Sequence, residues 1–142
     1  MTKPETPMLT VDIIIEVQDA LVDNGIVLIE RKNEPHGWAL PGGCVDVGET
    51  CRDAAIREAK EETCLDIYNV SEAGIYDAPN RDPRGHAVSI TYYAAADGTP
   101  IGADDAKNAM VIDPSKIDEM NVTLCFDHRE IIQDYLRYKN EV

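Results

Sequence analysis

The stretch that most constrains this chain is residues 42–67, GGCVDVGETCRDAAIREAKEETCLDI. Paired glycines lead into a segment whose small and apolar residues, Cys51, Ala54, Ala55, Ile56 and Ala59, recur at helical spacing. Thr50 can cap that helix, with Asp53 three residues on as a weaker form of the capping box, and the helix is expected to end near Thr63-Cys64. Small residues on the apolar side let the helix lie close against a sheet. Its other side carries Glu58, Glu61 and Glu62. Positions i, i+3 and i+4 share one helix face, where like charges repel by a few tenths of a kcal/mol per pair. A cation is the natural partner. Arg57 is adjacent to Glu58 but sits about 100° round the helix from it. A hard divalent ion, Mg²⁺ or Mn²⁺, answers the need better, because such ions take carboxylate oxygens.

The remaining residues read as strands, loops and one more helix. Residues 1–8 are expected as a loose tail, 10–18 (TVDIIIEVQ) as a strand, and 25–31 (GIVLIER) as a second strand joined to it by Asp23-Asn24-Gly25 in a hairpin. Trp38-Ala39-Leu40 is a short apolar piece ending at a turn, Pro41-Gly42-Gly43. Strands are expected over 66–75, 87–96 and 109–112, separated by polar loops over 77–85 and 97–108. A terminal helix over 127–139 takes Asp127 as N-cap and turns Ile131, Ile132, Tyr135, Leu136 and Tyr138 inward. The pattern predicts one domain over 1–142: an α/β (α+β) sandwich, a mixed β-sheet packed between helices.

Composition narrows the partners. A formal net charge of −14 repels nucleic-acid backbone, so no nucleic-acid partner is expected, while a small phosphate substrate is compatible if metal ions neutralise its site. The four cysteines show no zinc spacing, and no apolar run suits a signal peptide or a membrane span. A cytoplasmic protein with reduced thiols is expected.

Gly43, Glu49, Arg57, Glu58, Ala59, Glu61, Glu62 and Leu65 fall in the register of the Nudix box, which this stretch resembles, with Cys64 standing where the family has glycine. Glutamates at i, i+3 and i+4 are by themselves most often a solvated helix face; the other box residues in register reverse that reading. The resemblance implies the Nudix fold and Mg²⁺-dependent cleavage of a diphosphate linked to another moiety. It implies Glu58, Glu61, Glu62 and the Gly42 carbonyl as metal ligands, with Glu49 close by and paired to Arg57. Cys64 is expected either in a left-handed cap at a cost on the order of 1 kcal/mol or at a helix end of a different kind.

The segment 80–86, NRDPRGH, is similar to one found in ADP-ribose pyrophosphatases, as are Asp104-Asp105-Ala106-Lys107 and Phe126-Asp127-His128. Arg81 and Arg84 are candidates for clamping a phosphate, or else form a loop-stabilising set with Asp82. His86 binds substrate or caps the following strand. The general base is Asp104, Asp105 or a box glutamate. Trp38, Tyr76 and Tyr92 could stack on adenine, though core packing is the commoner fate of such residues. The implied reaction is ADP-ribose plus water giving AMP and ribose 5-phosphate. The alternatives are hydrolysis of nucleoside triphosphates or dinucleoside polyphosphates, and a non-catalytic nucleotide sensor on the same fold. A homodimer is in keeping with the resemblance.

Overall fold

Alternation along the first apolar run builds the architecture. In the computed structural model, which describes residues 3–18 and 21–140, β1 (Met8–Val17) runs through the middle of a seven-stranded mixed sheet. Val11, Ile13, Ile15 and Val17 point to one face and Ile14 to the other, the period-2 pattern of a strand buried on both sides. The remaining elements are β2 (Gly25–Arg31), β3 (Trp38–Ala39), β4 (Gly42–Cys44), α1 (Cys51–Thr63), β5 (Tyr68–Tyr76), β6 (Ala87–Ala96), β7 (Ala106–Ile112), a 3₁₀ helix (Pro114–Glu119) and α2 (His128–Asn140).

The strand order is β3-β2-β1-β6-β5, with β4 added to β1 and β7 to β2. One edge of β1 pairs in parallel with the whole of β6, from Met8↔Ala87 to Val17↔Ala96. Its other edge is shared. Glu16 and Val17 pair with β2, while Thr10, Val11 and Asp12 pair with β4. Helix α1 covers one face, burying Ala54, Ala55 and Ala59 against Val11, Ile13 and Ile15. Helix α2 covers the other, burying Ile131, Ile132 and Tyr135 with Ile14, Ile26 and Leu28. The expected mixed sheet between helices is therefore the fold that forms.

Several local expectations are corrected. Residues 3–7 are irregular and exposed, but Met8 already belongs to β1; residues 1 and 2 lie outside the described residues. Gly42 and Gly43 form strand rather than turn. Glycine is needed there because a Cβ on Gly42 would meet the Val11 carbonyl oxygen at 2.1 Å. Strand β7 starts three residues early, since Ala106 and Asn108 already pair with β2 and the Asn108 amide donates to Glu30. The 3₁₀ helix, capped by Asp113, is an element the sequence reading left out. Tyr138 is half exposed, stacked on Tyr93 at 5.0 Å instead of entering the core. Asp127 precedes α2, but its carboxylate faces Arg81, and only its carbonyl accepts from the helix, from Ile131 N–H.

Candidate active site

The helix that carries the acidic face is held at both ends. Thr50 Oγ1 accepts from Asp53 N–H at 3.0 Å, and Cys64 closes the last turn at φ 62°, ψ 13°, its N–H donating to the Lys60 carbonyl. Between them Glu58 and Glu62 reach β4, while Glu61 stays exposed beside Arg57. A Cβ on Gly43 would lie 2.5 Å from the Glu58 carboxyl carbon, so only glycine lets that carboxylate approach the strand.

Arg57 is the central cation, which revises the expectation that it lies too far round the helix to serve Glu58. Its long side chain wraps back across that angle. Nη1 donates to Glu58 at 2.8 Å and to Glu61 at 3.2 Å, Nε and Nη2 form a bidentate pair with Glu49 at 2.8 and 2.9 Å, and Nη2 also reaches the Cys44 carbonyl. The Arg57 hydrogen bonds, helped by Asp46 N–H, hold Glu49 well below the usual carboxylate range, at about 2.

Glu62 turns the other way, accepting from Gly42 N–H at 2.8 Å. Burial pushes its carboxyl up to about 8, and the charges of Glu58, Asp105 and Asp12 add to the effect. Burial also raises Glu58, against the pull of Arg57, with Glu61 and Asp104 adding to the rise. Among the described residues no three carboxylates converge at metal-ligand spacing. The donor set still suits a hard divalent cation: oxygen ligands on one rigid face, two of them made unfavourable as anions by burial and mutual charge.

Asp104 and Asp105 are exposed and sit beside this face because their loop is tied to α1. Ile101 N–H donates to the Thr63 carbonyl and Ala103 N–H to the Glu62 carbonyl. Asp104 takes a left-handed conformation, and Lys32 Nζ donates to its carbonyl.

The 77–86 loop behaves differently. Arg81 is buried, bidentate to Asp127 at 2.7 and 3.0 Å and 3.4 Å from Asp12. Its guanidinium ties the loop to β1 and to the start of α2, which corrects its reading as a phosphate clamp. Arg84 pairs with Asp82 at 2.9 and 3.1 Å and stays half exposed at the mouth of the cleft. The His86 ring bonds to the Asp77 carbonyl across the base of its own loop. Tyr92 is core on the α1 side of the sheet, Trp38 packs against the core on the α2 side, and Tyr76 donates to Asp134 on α2.

Sequence reasoning missed a buried polar hub. Asp12 Oδ2 accepts from Ser89 at 2.6 Å, and Oδ1 lies 3.2 Å from His128 Nε2. His128 Nδ1 accepts from Leu40 N–H, so Nε2 carries the proton that faces Asp12. Burial would raise Asp12, yet His128, Ser89 and Arg81 outweigh it and hold the carboxyl below its ordinary value. The one visible signal was an acid inside an otherwise apolar strand, TVDIII. A cleft opens between this hub and the box, bordered by Gly43, Glu62, Arg31, Arg84, Phe126 and His128.

Comparison with known proteins gives a NUDIX domain matching residues 7–135. An ADP-ribose pyrophosphatase of Methanocaldococcus jannaschii is 46% identical over 137 residues, covering 94% of this chain and 76% of that protein. An ADPR responsive transcriptional repressor of Acinetobacter baylyi is 30% identical, covering 96% of this chain but 56% of its own length. A MutT/nudix family protein from Enterococcus faecalis superposes with a TM-score of 0.83 at 32% identity, covering 99% of this chain and 65% of that one.

Proposed function

This chain belongs to the Nudix family of hydrolases, and from that premise we propose that it splits ADP-ribose with water into AMP and ribose 5-phosphate, using Mg²⁺ or Mn²⁺. The observation that carries the reading is the cleft itself. It joins a face of excess carboxylate at Glu62 to guanidinium at Arg84, the two chemistries a metal-assisted diphosphate cleavage needs on either side of its substrate. The 46% identity to an ADP-ribose pyrophosphatase favours ADP-ribose over other diphosphates.

Glu58, Glu61, Glu62 and the Gly42 carbonyl would hold the cation. When bound, it supplies positive charge against the developing phosphoryl charge and acidifies a water. The chain's own residues do the rest. Glu49 and Cys44 orient the Arg57 guanidinium, which spaces Glu58 and Glu61 along the helix face. Gly42 N–H aims Glu62 toward the cleft. The tied loop keeps Asp104 and Asp105 beside the box as proton acceptors outside the ligand set. The four free thiols fit a reducing cytoplasm. The net charge of −14 argues against a duplex partner, and no helix among the described residues is long and apolar enough to cross a membrane.

Steady-state rates on ADP-ribose, NADH, diadenosine polyphosphates and deoxynucleoside triphosphates test the proposal. The highest kcat/KM is expected on ADP-ribose; a higher value on the triphosphates would replace it. A non-catalytic sensor, suggested by the A. baylyi repressor, predicts binding of ADP-ribose without turnover.

A further inference from the structure

Between β3, which pairs with β2, and β4, which pairs with β1, the chain crosses from one strand partner to the other in only two residues, Leu40 and Pro41. Both are buried, so their backbone groups need partners inside the protein. Pro41 has no N–H, which leaves the Leu40 N–H as the one backbone donor in the link. It donates over 2.9 Å to His128 Nδ1, 88 residues away at the start of α2. The Pro41 carbonyl accepts from Ile13 N–H at 2.9 Å. Gly42 follows at once, and its N–H carries the bond to Glu62.

His128 meets the same strand by a second route. Its Nε2 faces Asp12 Oδ1 at 3.2 Å, and a Cβ on Gly42 would lie 2.6 Å from that oxygen, so Gly42 rests directly on it. Asp12 is fixed in turn by Ser89, bonded at 2.6 Å, and by Arg81. The imidazole is therefore held on one nitrogen by a clamped carboxylate, and with the other it holds a buried backbone amide. Helix α2 is already seated by Ile131, Ile132 and Tyr135; the bonds of His128 go instead to the backbone before Gly42 and to the acid beneath it.

The geometry points to His128 as a positioning residue: by holding the Leu40 N–H it fixes where Gly42 presents its carbonyl and N–H to the carboxylate face. The cation at that carbonyl rests on the function proposed above; the hold on Gly42 rests on the bonds alone. A group that orients a metal ligand from outside the ligand set typically changes metal affinity by about 10–100-fold, which sets the scale of the effect.

Two full-length variants separate the two ring nitrogens. His128→Asn keeps an acceptor near the place of Nδ1 and gives up the contact with Asp12, whereas His128→Gln reaches Asp12 but leaves the Leu40 N–H unpaired. In His128→Gln, Mn²⁺ binding followed by electron paramagnetic resonance is expected to weaken about 10-fold. Hydrogen exchange at the Gly42 amide should speed up about 10-fold relative to amides of β5 and β6. His128→Asn should keep both close to the wild type. Both variants lose a buried hydrogen bond and lower Tm, so the difference between them carries the test. In the unsubstituted protein, titration with Mg²⁺ should shift the Leu40 amide and the His128 Nδ1 resonance together with the Gly42 amide, a readout that needs no variant to fold. Equal Mn²⁺ affinity and equal Gly42 exchange in the two variants, or a Mg²⁺ shift confined to Gly42, overturns the positioning role. A wild type that binds no Mn²⁺ overturns the metal reading instead, and the Gly42 exchange comparison then decides the role of His128.

Discussion

The box and the hub are both clusters of charge, they lie on two sides of one cleft, and they are balanced in opposite ways. In the hub, Asp12 and Asp127 share Arg81, and every remaining oxygen or ring nitrogen described there faces Ser89, Leu40 or His128. In the box, Asp46, Glu49, Glu58 and Glu61 all lean on Arg57, and Glu62 has only a backbone N–H. Burial acts on both, yet Asp12 is held down and Glu62 is pushed up. A buried carboxylate that is fully paired ties the fold together. One left over, Glu62, is the carboxylate proposed to take a cation.

The sharpest way to break this contrast is to remove one partner from the hub. Arg81→Met leaves the partly buried Asp127 without its guanidinium and Asp12 with only Ser89 and His128, and a loss of about 3–5 kcal/mol in urea unfolding is expected. A loss under 1 kcal/mol would mean that Arg81 does not hold the fold, and would return it to the substrate side.

Removing a carboxylate from the box should do the reverse. Glu62→Gln is expected to lower kcat on ADP-ribose with Mg²⁺ by about 10²–10³-fold, the loss typical of a preorganised charge-stabilising group. Its unfolding midpoint in the presence of a chelator should stay level or rise. Unchanged turnover would remove Glu62 from the metal site.

The two regions also predict a pH signature. The folded value of Glu62, about 8, lies above its ordinary 4.5, so the folded state favours the protonated form. That contribution is fully present below pH 4.5 and is lost as pH rises through about 8. Glu49 is shifted the opposite way, to about 2, so its contribution changes only below pH 4.5 and leaves this window clear. With chelator present, Tm should therefore fall between pH 5 and 8.5; Glu62→Gln should flatten the fall, and Mg²⁺ should reverse it at pH 8.5. A flat profile in the wild type would place Glu62 among the paired groups.

The same contrast explains what the sequence made legible. The box was readable because its residues lie within one glycine run and one helix, where spacing alone sets the face: Gly43, Glu49, Arg57, Glu58, Glu61 and Glu62 span twenty positions. The sheet was readable through the β-branched, mostly apolar run TVDIIIEVQ and the run AVSITYYAAA. The hub was hidden because its partners are far apart in the chain. Arg81 is 69 residues from Asp12 and 46 from Asp127, and no local pattern links them. Arg81 and Arg84 looked equivalent in RDPRG, and only the path of the loop sends one inward and the other to the cleft. The reach of Arg57 was misjudged because an angle between Cα positions says little about a side chain that long.

Cys64 offers the finest test, since it ends the box helix and touches neither cluster. Its φ of 62° and ψ of 13° put a side chain into the left-handed region, where glycine pays no Cβ penalty. The thiol is exposed, so replacing it loses little packing. The backbone bond from Cys64 N–H to the Lys60 carbonyl is independent of the side chain and should persist. Against the relief of about 1 kcal/mol stands the greater freedom of glycine in the unfolded chain, which takes back part of it. Cys64→Gly should therefore gain a few tenths to about 1 kcal/mol, read as a rise of roughly 1–4 °C in Tm, with kcat and KM on ADP-ribose unchanged. A lower Tm would show that the thiol makes a contact in solution. Altered turnover at equal Tm would show that the end of the helix is coupled to the carboxylate face, and the boundary drawn here between holding the fold and binding the cation would have to move.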